Sequence, residues 1–567
     1  MLIVFPRLLL IILVCGMAMM SAAQTTTSQT LVVDAETDEP LAYCHIYFPS
    51  LHSGTITNQD GAFDMAGVPP GDSVRFSYVG YETRWLTASE VLRQGRIALR
   101  PKSILLSESV ILGEDSFLYK AVARCRKRMQ SQPQQIAKAY FHLESVSNDV
   151  PLEMMQCYYN ATIQGCHINE LALKNGRAAL PRPEDGYYVS LNTSKAIVML
   201  DLTNASSQFP ANPLQLSGSQ CRKRFNLVRL PSYSDASVLH IAFTPKRGPG
   251  RHFEGEMWID AHTFALQKIV LECQEAVLHP FKPINEESVI RSVAFQVTQS
   301  FSVDGDVSFL DHVDFSYNLD FLMRVDQKLE PLSVHTQGLL YLYERGAAFI
   351  LPYFDYDDRL NDYHKISFIP YDEAFWDETW GFKFTALQLK RLAWLREQGV
   401  LVNYKDVFHD AGLFGVNNVL WSEERIRFGF DAASNVRNRM GLHVQLFLDI
   451  NKAEEGLRYT SATVLDVYRS YNWMEDSDRI TCYVNMYFDM AEIVRRELVE
   501  TLEGGPRTEL FARKAYRESA NRLRFILTRL TRETDYGRNR IKMREWNDRI
   551  RDVLGIDNLT LFLGNVK

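Results

Sequence analysis

The chain has 567 residues, of which 46% are hydrophobic and 23% charged, and its formal net charge is −7. That length exceeds what one hydrophobic core organises, so about three domains are expected. The composition excludes a mostly disordered chain, and so mild an acidic balance leaves no footprint for a nucleic-acid partner.

The first segment stands apart. Arg7 precedes an apolar run of 13 residues, Leu8 to Met20, which ends in Ser21-Ala22-Ala23-Gln24. The run is too short to span a bilayer permanently, and small residues at Ser21 and Ala23 suit cleavage before Gln24. Residues 1–23 therefore read as a signal peptide, with an uncleaved anchor as the alternative. Lipid attachment at Cys15 is disfavoured, because Leu13-Val14 lacks the small residue such a site needs. No later run of about 18 apolar residues follows, so no transmembrane helix is expected in the mature chain. Seven cysteines remain after Cys15, scattered and without a C-x-x-C spacing. Neither a zinc knuckle nor a disulfide scaffold is indicated. Cys157 and Cys166 either pair across a hairpin from Met154 to Leu171 or are independent buried thiols.

Residues 27–110 alternate in short strands broken by turn chemistry. Leu31-Val-Val33 runs into the turn Asp34 to Pro40, then come His45 to Phe48 and Gly54 to Thr57. Asn58-Gln-Asp60-Gly61 and Pro69 to Asp72 are further turns before Val74 to Val79. Strands of this length and spacing indicate a β-sandwich. Asp60-Gly61 supplies a positive-φ turn, and Phe63 is expected to point into the core. The strings Asp34 to Pro40-Leu41-Ala42, Gly54-Thr-Ile-Thr-Asn-Gln-Asp-Gly61-Ala-Phe63 and Phe76-Ser-Tyr-Val-Gly-Tyr81 resemble the carboxypeptidase regulatory-like domain. The resemblance implies a transthyretin-like, non-catalytic sandwich of the kind that opens many Gram-negative envelope proteins, TonB-dependent uptake receptors among them.

Residues 111–135 form a helical connector, with a helix from Phe117 to Gln130 stopped by Ser131-Gln-Pro133. Residues 138–350 then read as an antiparallel β domain. Strand composition covers Lys138–Val146, Glu153–Ile163, Tyr187–Leu191, Ala196–Leu202, Val238–Thr244, Gly255–Ile259, Ala265–Glu272, Val289–Phe301, His312–Asp320 and Leu332–Tyr343. Glu254 to Leu271 alternates on both arms around Asp260-Ala-His-Thr263, which makes a long hairpin. This hairpin resembles the strands of lipoprotein-carrier-like half-barrels. Its apolar face must be covered, either by C-terminal helices or by a lipid-like ligand.

Residues 351–382 are an aromatic and acidic connector, and residues 383–567 an α-rich α+β domain. Thr385-Ala-Leu-Gln388 is a capping box with Leu389, Leu392, Ala393 and Leu395 inward and Gly399 as the stop. A strand covers His443–Ile450. Helices follow over Ile480–Leu502, Thr508–Arg532 and Ile541–Leu554. Val484, Phe488, Ala491, Val494 or Ile493, Leu498 and Leu502 make one apolar stripe, suited to docking on the concave face of the middle sheet.

Three constellations invite chemistry. His167-Ile-Asn-Glu170 has the spacing of a zinc carboxypeptidase ligand pair, with His279 or His312 as third ligand. It sits in a β stretch without the α/β domain that such sites need, and chance accounts for it. No H-E-x-x-H, G-x-S-x-G or G-x-x-x-x-G-K-[ST] string occurs. The connector gathers Asp355, Asp357, Asp358 and Asp362 with Tyr353, Phe354, Tyr356, Phe375, Trp376 and Trp380. Calcium or stacked sugar rings is one reading, and aromatics pinning a linker is the preferred one. Residues 507–551 hold fourteen Arg/Lys against six Asp/Glu, including Arg522, Arg524, Arg529, Arg538, Arg540 and Lys542. These face either anionic headgroups or an acidic partner, or they are solvated faces.

The expectation is a multidomain exported protein, periplasmic or outer-membrane-associated in a Gram-negative cell. It has an N-terminal β-sandwich, a half-barrel-like antiparallel middle domain and an α-rich C-terminal domain. A binding or scaffold role without catalysis leads, with an unidentified envelope protein or a lipid-like ligand as partner and no nucleic acid. Carriage of an apolar molecule in the middle domain and an unrecognised hydrolase are the alternatives. No catalytic, cofactor-binding or metal-ligating residue and no cofactor is expected.

Overall fold

The computed structural model describes residues 30–564 except 52, 66, 102–113, 182–192, 231–237, 283–288, 326–327, 358, 380–381, 405–419, 427–439, 454–455, 473 and 475–476. The signal peptide expected at residues 1–23, the strand expected at Tyr187–Leu191, Asp358 and Trp380 lie outside the described residues. The chain divides into two compact units, Met1–Lys102 with Phe382–Thr385, and Ser103–Gly381 with Ala386–Lys567.

The first unit is built from strands β1 (Leu31–Asp34), β2 (His45–Phe48), β3 (Ser53–Ile56), β4 (Ser73–Ser77) and β5 (Arg84–Thr87), helix α1 (Ala88–Gln94) and strand β6 (Arg96–Leu99). A four-stranded sheet ordered β3-β2-β4-β5 accompanies the parallel pair β1-β6. The core holds Val32, Ile46, Phe63, Phe76, Val91 and Ile97. Phe63 is buried and meets Phe76 edge-on at 5.6 Å between ring centroids. Gly61 has φ +73°, and a Cβ there would sit 2.5 Å from the Val32 carbonyl oxygen, so this turn needs glycine twice over. Helix α1 was not expected among the strands. Its signals are local: Thr87 and Glu90 form a reciprocal capping box, and Gly95 closes the helix at φ 64°.

The second unit begins with α2 (Glu114–Gln130), β7 (Gln134–Ser147), β8 (Val150–Gln164), β9 (His167–Pro181), α3 (Thr193–Met199), α4 (Gly218–Arg224), β10 (Phe225–Arg229), β11 (Val238–Pro245), β12 (Glu254–Asp260), β13 (Leu266–Cys273), β14 (Val289–Asp304), β15 (Val307–Val325) and β16 (Lys328–Arg345). It continues with α5 (Asp362–Ile366), α6 (Glu373–Glu378), α7 (Ala386–Gln398), β17 (Gly399–Val402), β18 (Met440–Gly441), β19 (Val444–Ala453), β20 (Gly456–Leu465) and β21 (Tyr471–Asn472). Helices α8 (Asp478–Glu503), α9 (Glu509–Thr534), α10 (Arg540–Leu554) and α11 (Asn558–Leu563) complete it.

The eleven-stranded sheet runs β10-β11-β12-β13-β14-β15-β16-β7-β8-β9-β17 and does not close into a barrel. The expected hairpin is β12–β13, with Met257 opposite Ile269 and Asp260 Oδ1 accepting from the His262 and Thr263 amides. Burial alternates along β13, so one face is apolar. That face is covered by the chain's own segments. Leu118, Val122, Cys125 and Met129 of α2 join Phe209, Phe281 and Ile366 in one cluster with the sheet. Ala196–Leu202, expected as a strand, lies in this cover as α3 and its exit, with Ala196, Ile197 and Leu200 buried. A short apolar run has no period long enough to separate strand from helix, and packing decided it.

The C-terminal helices do not supply the cover. The stripe from Val484 to Leu502 is buried, but in a second core with Leu446, Leu448 and Ile450 of the β19–β20 hairpin and Leu523, Leu527 and Trp546 of the neighbouring helices. The strand expected at His443–Ile450 is β19, and it pairs with the unexpected β20 to make a hairpin that intervenes between helices and sheet. On α7, Leu395 is buried as expected, whereas Leu389 is 54% exposed and Ala393 also faces solvent. This helix lies on a polar part of the sheet: Gln388 meets His142 at 3.2 Å, and Arg391 pairs with Glu144 at 2.6 Å. Its inward stripe is therefore polar where an apolar one was expected. Among the described residues, no helix is long and apolar enough to cross a membrane.

Candidate functional site

The residues singled out by sequence are held by structural partners. His167 opens β9 with Nδ1 3.5 Å from an Asp201 carboxylate oxygen. His279 stacks on Phe281, and His312 stands on β15 opposite Tyr341. Among the described residues, no group of three or more His, Cys, Asp or Glu side chains is placed to hold a metal ion. Cys157 and Cys166 are both free and buried, like the other five described cysteines. In the connector, Phe354 packs on Phe368 and Phe447, and Phe375 and Trp376 pack on Tyr158. Asp362 accepts from Tyr159 Oη at 2.9 Å and from Ser194 Oγ, while Asp355 and Asp357 both face Arg469. These aromatics and carboxylates fasten the connector to its surroundings.

A different constellation was not foreseen. Lys174 of β9 and Asp449 of β19 meet at 2.5 Å with side chains only 1% and 3% exposed. The ammonium also donates to the carbonyls of Ile350 at 2.8 Å and Ile450 at 3.1 Å, which satisfies all three of its protons. Burial pushes the Lys174 amine down and the Asp449 carboxyl up, each opposed by the other's charge. From Asp449 a polar chain runs outward. Asn451 Nδ2 donates to Asp449 at 3.2 Å and to Asp372 at 3.1 Å. Asp372 caps α6 by accepting from the Phe375 amide, takes a bond from Thr460 Oγ1 and lies 3.7 Å from the Arg458 guanidinium. Arg458 Nη1 finally reaches both oxygens of Glu378 at 2.9 Å.

This chain ends at a cavity of about 930 Å³ beside the β19–β20 turn and the last turns of α8. Arg458, Glu378, Lys452 and Arg507 supply charge of both signs, and Tyr459, Leu457 and Val499 supply apolar wall. The Tyr459 phenol is pushed up by burial and stays protonated at neutral pH. Its hydroxyl has no hydrogen-bond partner among the described residues. Such a lining can orient a polar ligand by its charges, while the Tyr459 hydroxyl is itself buried. Its described residues include no Ser, Cys or His, and its arginine–carboxylate pair is mutually engaged. Asp449, standing inside the apolar run Leu446 to Ile450, was the one signal in the sequence that a buried charge was expecting a partner.

Half of the fourteen basic residues in 507–551 pair with carboxylates, among them Arg513 with Glu509, Arg529 with Glu533, Lys542 with Glu545, and Arg522 with Glu497 of α8. Exposed pairs of this kind contribute little to stability.

Residues 31–111 match the model of the CarboxypepD_reg-like domain, so this part of the chain is a regulatory-like, non-catalytic sandwich. No curated protein matches the chain. Among solved structures, a crystal structure of MucB is similar at 8% identity and TM-score 0.16, covering 41% of this chain and 94% of MucB. The Pseudomonas aeruginosa MucA/MucB complex is similar at 9% identity and TM-score 0.15, covering 39% and 92%. MucB in complex with MucA(peri) is similar at 11% identity and TM-score 0.14, covering 40% and 93%. This is a weak resemblance to a lipoprotein-carrier-like fold in the middle region, too loose to carry an argument.

Proposed function

We propose that this chain is an exported, periplasmic or outer-membrane-associated protein that binds a partner in the envelope without transforming it. Residues 1–23 are its signal peptide, and the cavity beside Arg458 is its recognition surface. One observation carries the reading: the cavity is lined by charges of both signs, with Arg458 and Glu378 engaged with each other, and by apolar wall, a recognition chemistry without a nucleophile and base in register. The regulatory-like domain adds weight, because it is a module without catalysis. Carriage of an apolar molecule by the middle sheet is not favoured, since segments of the chain itself fill the apolar face.

A photo-crosslinking residue placed at Leu457, on the cavity wall, tests this in intact envelopes. A discrete adduct at Leu457, with none at Leu510, which is 77% exposed on α9, is the expected result. Equal labelling at both positions, or none at either, removes the cavity from the account.

A further inference from the structure

The arginines of the C-terminal helices divide into two sets. Six of the thirteen arginines in α8–α10 reach a carboxylate, and Arg540 and Arg544 are among those with no ion-pair partner among the described residues. They stand one turn apart on α10 and open, with Arg479 of α8 and Arg551 of α10, onto a cavity of about 510 Å³. Cavities of about 300–1,000 Å³ are the usual size for small-molecule sites.

The other lining groups are already committed. Arg479 Nη1 donates to the Tyr536 carbonyl at 2.8 Å. Arg551 pairs with Asp548 at 2.8 Å and lies 3.9 Å from Asp557. Asp557 also accepts from Asn547 Nδ2 at 2.9 Å and from the Thr560 amide at 3.0 Å, capping α11. Four arginines face two carboxylates in this lining, so it carries a surplus of two positive charges (4 − 2), and the unpaired part is concentrated at Arg540 and Arg544. The floor is apolar: Met543 is buried, and Leu559 and Leu563 of α11 are half-buried.

A polar rim with surplus guanidinium and an apolar floor match one ligand chemistry. We propose that this cavity binds an amphiphilic anion, a phosphate or carboxylate carrying an alkyl chain. The head is held by Arg540 and Arg544, whose planar forks suit such anions, and the chain lies on Met543, Leu559 and Leu563. The proposal does not depend on the larger cavity being the recognition surface. Its ligand has two sources, a lipid in a bilayer or a free amphiphile, and the test separates them.

Calorimetric titration of the full mature protein uses dodecyl phosphate below its micelle concentration, inorganic phosphate, and vesicles of phosphatidylglycerol or phosphatidylcholine. Dodecyl phosphate is expected to bind about tenfold or more tighter than inorganic phosphate, because only the former uses the floor. Arg540→Ala/Arg544→Ala is expected to weaken dodecyl phosphate about tenfold or more, by loss of charge-assisted hydrogen bonds. Arg549→Ala, on the same helix but outside the cavity, is expected to leave it unchanged. Binding of both dodecyl phosphate and phosphatidylglycerol vesicles, each lost in the double variant, supports the site with a bilayer lipid as its source. Binding of dodecyl phosphate alone supports it with a free amphiphile. Three results overturn the proposal: no preference for dodecyl over inorganic phosphate, undiminished binding by the double variant, or binding only to vesicles with equal loss in Arg549→Ala. Both substituted arginines are exposed, so the variant is expected to fold.

Discussion

Lys174 and Asp449, 275 residues apart in sequence, form a buried ion pair that fastens the β19–β20 hairpin to the eleven-stranded sheet. Two charges removed from water lose hydration that their attraction only partly restores, so the pair is a fastening of defined geometry more than a source of stability. It fixes where the hairpin, and through Asn451, Asp372 and Arg458 the cavity, stand relative to β9.

Removing one partner should therefore cost far more than removing both. Lys174→Met strands a carboxyl that burial already pushes up, and a loss of about 3–5 kcal/mol is expected. In Lys174→Met/Asp449→Leu most of that loss should return. Urea unfolding of the wild type, both single variants and the double variant measures this. Additive losses would show that the two side chains act independently.

His142 makes stability sensitive to acid. Burial pushes its imidazole down to about 4. The folded chain keeps His142 neutral while the unfolded chain takes the proton below about 6.5, so this contribution is lost as pH falls from 6.5 towards 4. Between pH 7 and pH 5 the loss from this residue comes to about 2 kcal/mol. His142→Leu should flatten the acid limb by that amount, whatever its effect at pH 7. Parallel pH profiles for variant and wild type would exclude His142 as the source.

Much of the fold was legible because its signals are local. The β12–β13 hairpin announces itself by alternation and by Asp260, the α8 stripe by its period, and the first sandwich by Asp60-Gly61 and Phe63. Strand β8 was legible at Glu153–Ile163 from strand composition alone, because Glu153 to Tyr159 is buried throughout and so lacks alternation. Helix α1 carries a full capping box, but its seven residues are too few for a helical period to stand out within a run of strands. What sequence does not carry is which apolar surfaces meet. The α8 stripe fits a hairpin or a sheet equally well, and only its long-range packing against β19 of the β19–β20 hairpin selects the hairpin. The site was hidden for the same reason, since beyond Asp449 in its apolar run nothing marks Lys174, Asp372 and Arg458 until three distant segments converge.

Export makes its own prediction. Protein isolated from the envelope should begin at Gln24, given the small residues at Ser21 and Ala23. N-terminal sequencing reads this directly. A retained Met1 would turn the first segment into an anchor, and an acylated Cys15 would make the protein lipid-attached.

The central claim is that the protein binds its partner unchanged. Native mass spectrometry of the full chain purified from its own envelope, followed by incubation of the released species with fresh protein, tests that claim most directly. The account predicts one species retained at near-unit stoichiometry, lost in Arg458→Ala, and recovered after incubation with its mass unaltered. A released species converted to a product of different mass, or no species retained at all, would contradict it.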